Sequence, residues 1–178
     1  MSPTIIGLIL LGLIVVWLIW TYNRLVGYRN QTDEAWSDIE VQLKRRFDLI
    51  PNLIETVKGY ATHETKVFDD VSSARAAAMG AHTPAEHSKT DNMLAGALKS
   101  LFAIAEAYPV LRATENFAKL QDELSDTENK IQASRRFYNG NVRDLNTAIQ
   151  TFPTNLFTKM FGFTPKEFYD LGDNTAAQ

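Results

Sequence analysis

The sequence predicts an all-α protein in which a single N-terminal transmembrane helix is followed by an antiparallel four-helix bundle. Residues 1–23 carry no charged side chain, every long segment after them repeats its apolar residues every three or four positions, and no segment alternates long enough to form a strand. The predicted organisation is an anchor, a bundle, an aromatic-rich C-terminal segment and a frayed tail, at residues 1–23, 24–151, 152–172 and 173–178.

The anchor is the stretch from Pro3 to Tyr22, which supplies the roughly 20 mainly apolar residues that a helix needs to cross a bilayer. A cleaved signal peptide is the alternative, but no Lys or Arg precedes the apolar run and no small-x-small cleavage site follows it. Side chains suited to the lipid head-group level cluster at its end: Trp17, Trp20, Tyr22, Arg24 and Arg29. Because the two arginines follow the span and no basic residue precedes it, we predict a cytoplasmic bundle.

The periodic segments predict four amphipathic helices, the first continuous with the anchor, near residues 24–47, 49–79, 84–107 and 114–151. Thr83-Pro84-Ala85-Glu86 forms a capping box with proline at the first helical position, and Thr114 can cap the fourth helix. Short connections between four such helices predict antiparallel packing.

Pro51 decides where the first bundle helix is expected to end. Inside a continuous helix its ring would clash with the carbonyl of Phe47. If Asp48 instead caps a new helix, Pro51 falls in the first turn, where its missing N–H costs nothing. The sequence therefore predicts a tight turn at residues 47–49.

Several longer motifs resemble one known family. They are Tyr22-Asn23-Arg24-Leu25-Val26, Ala35-Trp36, Val41-Gln42-Leu43-Lys44-Arg45-Arg46-Phe47-Asp48-Leu49-Ile50-Pro51-Asn52-Leu53, Val57-Lys58-Gly59-Tyr60-Ala61, Ala107-Tyr108-Pro109, Glu115-Asn116-Phe117 and Ala133-Ser134-Arg135-Arg136-Phe137-Tyr138-Asn139. On these motifs nearly the whole sequence resembles the LemA family of bacterial membrane proteins, although Gly140 stands where the family is expected to have an acidic residue. The resemblance implies a four-helix bundle on a single anchor in the bacterial inner membrane, and it implies no reaction, substrate or cofactor.

Composition and motif content argue against an enzyme. The absence of cysteine excludes disulfides, thiolate nucleophiles and Cys-bound zinc, and a net charge of −3 gives no reason to expect a nucleic-acid partner. No Glu-x-x-His pair is present for a di-metal site, and His82 and His87 are interpreted as solvated residues of a polar connection. No Gly-rich phosphate loop or nucleophile–base set is recognisable. We predict no catalytic residue, cofactor, metal or small-molecule substrate.

Lys44, Arg45 and Arg46 form the one basic cluster. It lies about 24 residues past the span, so a straight helix carries it about 36 Å from the membrane, beyond the Debye length of about 8 Å. One interpretation is a solvated helix end neutralised by Glu106 and Glu115. The other is a partner surface at the membrane-distal tip, in which we include Asn52. Both remain open at this point.

The C-terminal segment is rich in aromatic residues, with six between positions 152 and 169: Phe152, Phe157, Phe161, Phe163, Phe168 and Tyr169. A short helix is expected from Thr154 to Phe161, and Thr164-Pro165-Lys166-Glu167 predicts the start of another. An antiparallel bundle returns this segment to the membrane side. There the rings either plug the end of the bundle, or Phe157, Phe161 and Phe163 contact the head-group layer or a neighbouring subunit.

The function predicted from these features is a non-catalytic, membrane-anchored scaffold or adaptor that acts through protein–protein contacts or self-association, with the lipid bilayer and a membrane protein or second copy as partners. The alternative is a membrane-tethered sensor or small-ligand-binding module. A ligand module should have a pocket of several hundred Å³ with convergent polar groups, whereas a scaffold should have a filled core and apolar surface patches. A hydrolase would need perturbed titratable groups in a cleft.

Overall fold

A computed structural model describes residues 2–169, and within them it contains five α-helices, one 3-10 turn and no β-strand. The helices are α1 (Pro3–Lys58), α2 (Thr65–Met79), α3 (Pro84–Ala107), the short α4 (Pro109–Arg112) and α5 (Glu115–Gln150), and the 3-10 turn is Thr154–Leu156. The prediction of an all-α fold is confirmed.

Helix α1 joins the anchor to the bundle without interruption over 56 residues. Its N-terminal part is long and apolar enough to cross a membrane. The large apolar side chains of that part are exposed all around the helix, as expected of a segment surrounded by lipid rather than by a protein core, and they include Leu8, Leu10, Leu11, Leu13, Ile14 and Val16.

The predicted turn at residues 47–49 is wrong, because α1 continues through Pro51 and ends at Lys58. The connection to α2 lies instead at residues 59–64. Proline lacks the N–H that would bond to the carbonyl of Phe47. Arg75 of α2 replaces it, donating from Nε to the Phe47 oxygen at 2.7 Å. A side chain of the neighbouring helix therefore satisfies the carbonyl that the local sequence leaves without a partner.

Four of the helices form the antiparallel bundle that the sequence predicts. Helix α5 packs along α1 in the opposite direction, since Leu25 clusters with Leu145 whereas Arg45 pairs with Asp126. Helix α2 packs against α3. The core is continuous and includes Ile39, Leu43, Ile50, Val71, Leu94, Leu101, Ile131 and Val142. Two of the predicted caps are present, as a full capping box at Thr83 and as Thr114 accepting from the Phe117 N–H.

Helices α1 and α5 extend beyond α2 and α3 towards the membrane, and we call this helix pair the stalk. The connection between α2 and α3 lies beside the bundle, where His82 and Thr83 share a surface crevice with Asp33 and Trp36. Closer to the membrane than the α2–α3 connection, a second and smaller apolar core stabilises the stalk. It is formed by Leu25, Leu145, Ile149 and Phe163.

After α5 the chain reverses direction and runs back along the stalk. The helix predicted from Thr154 to Phe161 is reduced to the 3-10 turn, and Gly162 follows with φ of +73°. The reversal brings the aromatic segment against α1. Residues 152–162 therefore lie on the membrane side, and the following residues return towards the bundle.

The final helix predicted from Thr164 is wrong within the described residues, because residues 163–169 have no regular secondary structure. Side chains of α5 bind their backbone instead. Asn146 accepts from the Lys166 N–H at 2.8 Å and donates to its carbonyl at 2.9 Å, and Asn139 does the same for Tyr169, at 2.8 Å each. We call residues 163–169 the strap. The predicted frayed tail, residues 173–178, lies outside the described residues.

Candidate functional site

The five predicted membrane-interface residues lie along the C-terminal end of the apolar span and the start of the stalk. The Arg24 guanidinium lies 5.4 Å from the centres of both the Trp20 and the Tyr28 rings, and its Nη2 donates to the Tyr28 hydroxyl at 2.9 Å. Arg29 lies over the ring of Phe163 at 5.3 Å. Aromatic rings and arginines are therefore interleaved at the level where α1 leaves the apolar span.

The aromatic segment packs on this same part of α1. Phe157 contacts Trp17 with ring centres 6.1 Å apart, and Tyr22 contacts Phe161 at 5.4 Å and Phe163 at 5.8 Å. Phe163 is only 4% exposed and so belongs to the stalk core, not to an exposed partner surface as predicted. Four large apolar side chains of the segment are exposed within the described residues, namely Phe152, Leu156, Met160 and Phe168. Their contact with lipid or with another subunit stays a prediction.

The basic cluster lies on the flank of the bundle and not at its tip, because α1 continues for three turns beyond it. Lys44 is exposed, as is Asn52. Arg45 pairs with Asp126 of α5 at 3.5 Å. Asp126 therefore neutralises part of the cluster. The predicted Glu106 and Glu115 do not, and Glu115 pairs with Lys119 instead.

Arg46 departs from the prediction of an exposed basic surface, since it is only 5% exposed, although it lines a groove between α3 and α5. Its Nη1 lies 3.0 Å from the Glu128 carboxylate and 3.7 Å from Asp91, which is itself 5% exposed. Asp91 also accepts from Arg135 and, at 2.7 Å, from the Tyr169 hydroxyl at the end of the strap. Two arginines and two carboxylates from three helices thus compensate one another, with Asp91 buried and Glu128 partly exposed.

This buried network is explained by structure and needs no catalytic role. The Arg135 guanidinium lies 4.5 Å above the Tyr169 ring, and burial raises the pKa of the Tyr169 hydroxyl, which keeps it a hydrogen-bond donor. Sequence reasoning missed Asp91. The available signal was its position on the apolar stripe of α3, three residues before the buried Leu94. A charged residue at a core position indicates a buried partner.

His87 was predicted to be solvated, but it is only 8% exposed and its ring lies 5.4 Å from that of Trp36. Burial lowers the pKa of His87, opposed by the charges of Asp91 and Glu40. Trp36 also contacts Tyr138 at 5.3 Å and donates from Nε1 to Glu40 at 2.9 Å. The helix entry at Pro84 brings the first turn of α3 onto α1, which buries the histidine.

Tyr138 is the other tyrosine with a perturbed pKa. Burial raises the pKa of its hydroxyl to about 12, and the hydroxyl donates to the Glu167 carbonyl of the strap at 2.9 Å. Within residues 2–169 no three side chains of the His, Asp, Glu or Cys type come together as metal ligands would. The absence of a bound metal stays a prediction.

Two surface depressions combine apolar and polar residues. The α3–α5 groove has a volume of about 400 Å³ and lies on the flank of the bundle, lined among others by Leu98, Lys99, Phe102, Gln121, Leu124 and Ser125. The stalk crevice has a volume of about 530 Å³ and lies between α1 and α5 at the membrane-facing end, lined among others by Trp17, Thr21, Arg24, Arg143, Thr147 and Phe152. Both are open to the surface.

The sequence matches the model of the LemA family over residues 35–178. Among similar proteins, magnetosome protein MamQ of Magnetospirillum gryphiswaldense is 22% identical over 178 aligned residues, which cover 85% of this chain and 65% of the relative. Magnetosome protein MamQ 2 of Paramagnetospirillum magneticum is 24% identical with the same coverage. Protein LemA of Metamycoplasma hominis is 28% identical over 137 residues, which cover 75% of this chain and 61% of the relative.

The chain therefore spans less than two thirds of the length of these relatives. The family match covers most of the sequence, including the whole bundle from Ala35 onwards and the strap. Together with the apolar start of α1, it makes this a membrane-associated helical protein. The chain belongs to the LemA family.

Proposed function

We propose that this chain is a non-catalytic, single-pass scaffold or adaptor of the bacterial inner membrane, with its bundle in the cytoplasm and a protein partner bound on the bundle flank. The observation that carries the proposal is the α3–α5 groove on a bundle with a continuous apolar core. Leu98 and Leu124 form its floor at 6% and 7% exposure, and Phe102 is half-buried between them and the rim. An apolar floor with a polar rim is typical of a protein-binding surface.

The groove fits an amphipathic helix as its occupant. Its walls are two helices, and on α3 the apolar residues Leu98 and Phe102 are one turn apart, so a helix laid between them can match this spacing. Lys99 and Gln121 are exposed on opposite rims and can bond to the polar flank of such a helix. The occupant can come from a second protein or from a second copy of this chain, which the experiment distinguishes.

The sensor alternative is less well supported by the same geometry. A small-ligand module encloses most of its ligand, whereas the α3–α5 groove is an open depression. The two tyrosines with strongly raised pKa values do not resemble an active pair either, because their hydroxyls are engaged by the Glu167 carbonyl and by Asp91.

Site-specific photo-crosslinking in cells tests the proposal. A photoreactive residue at Lys99 or Gln121 of the full chain should give a discrete crosslinked product, and the same residue at Val41, an exposed apolar position of α1 outside the groove, should not. Phe102→Ser, checked for folding by circular dichroism, should abolish the product. Mass spectrometry of the product then identifies a second copy or another protein. Equal products from the groove and from Val41 would refute the groove as the binding site.

A further inference from the structure

We propose that the stalk crevice binds the phosphate of one phospholipid head group. This inference does not depend on the scaffold function, since the crevice lies on the stalk and not on the bundle flank. The ligand chemistry is a phosphodiester with a net charge of −1. The depth of the crevice, its charges and one buried hydroxyl support this assignment.

The crevice lies at the depth of a lipid head group. Its deep end is formed by Trp17, inside the apolar span, and by Phe152 of the aromatic segment. Its upper part reaches Arg24 and Tyr28. Seven residues of helix separate Trp17 from Arg24, which is about 10 Å along α1. A lipid beside α1 would therefore place its acyl chains against Trp17 and Phe152 and its phosphate near the arginine.

The charges of the crevice match one phosphodiester. Arg24 and Arg143 supply two positive charges, and Asp144, 3.8 Å from Arg143, supplies one negative charge. Arg24 is held between Trp20 and Tyr28 and uses Nε and Nη2 on the Tyr28 hydroxyl. Its other N–H donors have no partner within residues 2–169. A guanidinium that is already oriented loses little entropy when it binds a phosphate.

A buried hydroxyl in the crevice also lacks a partner. Thr21 is 5% exposed, and its Oγ1 makes no hydrogen bond within the described part of the chain. Buried hydroxyls in proteins almost always have a partner, because an unsatisfied one costs free energy. Thr147 lines the facing wall on α5 and is exposed. A head-group oxygen at this point would accept a hydrogen bond from the Thr21 hydroxyl and would lie against Thr147 on the other side of the crevice.

Native mass spectrometry of the full chain in detergent micelles tests the proposal, with phosphatidylglycerol as the probe. Wild-type protein should retain one lipid. Arg24→Gln combined with Arg143→Gln should weaken lipid binding at least tenfold, about 1.4 kcal/mol. The charge-matched control is Arg112→Gln combined with Arg136→Gln, two exposed arginines that do not line the crevice, and it should bind as wild type does. Equal weakening in both double variants, or no retained lipid in the wild type, would overturn the proposal.

One more variant and one competition experiment complete the test. Thr21→Val preserves the shape of the side chain and should weaken binding about 3–10-fold, which provides a test if the arginine variant fails to fold. Wild-type affinity in Thr21→Val would contradict the role given to this hydroxyl. Inorganic phosphate at millimolar concentration should leave the bound lipid in place. Displacement of the lipid by phosphate would assign the crevice to a free anion and overturn the lipid assignment.

Discussion

Replacing Arg75 by alanine should destabilise the bundle through a carbonyl that lies 28 positions away in the sequence. Arg75 Nε donates to the Phe47 oxygen at 2.7 Å, and Pro51 offers that oxygen no N–H. A hydrogen bond from a charged group contributes about 1.5–3 kcal/mol, and its loss leaves a half-buried acceptor unsatisfied. We therefore expect Arg75→Ala to lower the free energy of unfolding by about 1.5–3 kcal/mol.

The sharper test restores the missing donor. In Pro51→Ala the N–H of residue 51 can bond to the Phe47 carbonyl within the helix. In this background Arg75→Ala should lower the free energy of unfolding by less than half as much as it does when Pro51 is present. The difference corresponds to a coupling energy of about 1 kcal/mol or more. The free energy of unfolding is measured by urea titration of the full chain in detergent micelles, followed by far-ultraviolet circular dichroism.

An exposed arginine provides the control for this cycle. Arg112→Ala should change stability by less than about 0.5 kcal/mol in either background. If Arg75→Ala costs the same with alanine at position 51 as with proline, Arg75 stabilises the bundle by packing alone. The account of how α1 passes through Pro51 would then be wrong.

Two other predictions concern orientation and pH. A reporter that works only in the cytoplasm should be active when it is fused after Gln178, and one that works only in the periplasm should be silent. The reverse pattern would refute the cytoplasmic bundle. Because burial lowers the pKa of His87 below its ordinary value of 6.5, the unfolded chain binds more protons below that pH. Stability should be full above pH 6.5 and fall as the pH drops towards the lowered pKa. The difference between the urea midpoints at pH 7.5 and pH 5.5 should be smaller in His87→Gln than in the wild type. An equal difference in the two proteins would contradict the prediction.

The sequence was sufficient for features that depend on neighbouring residues. The bounds of α3 and α5 follow from helical periodicity and from the caps at Thr83 and Thr114, which act within one turn. The end of α1 was misplaced because the partner of the Phe47 carbonyl comes from another helix. The apolar repeat also continued through Tyr60 into α2, which concealed the break at residues 59–64.

The buried network and the strap could not be predicted for the same reason. Arg46 belongs to a basic triplet that is locally indistinguishable from a solvated one, and its burial depends on Asp91 and Glu128 from two other helices. Asn139 and Asn146 are seven residues apart on one face of α5, so the sequence places them together. It does not indicate that they bind the backbone of the chain's own C-terminal segment.

The continuity of α1 also sets how the bundle stands on the membrane. A helix of 56 residues is about 84 Å long, and its apolar N-terminal part continues without a break into the part that forms the bundle. The helix therefore connects the apolar part rigidly to the bundle at its other end. With α1 spanning the bilayer as proposed, a change in bilayer thickness that tilts the span would tilt the whole bundle through the same angle, and with it the α3–α5 groove. A partner bound in the groove as proposed would therefore be held at a fixed height and orientation relative to the lipid surface.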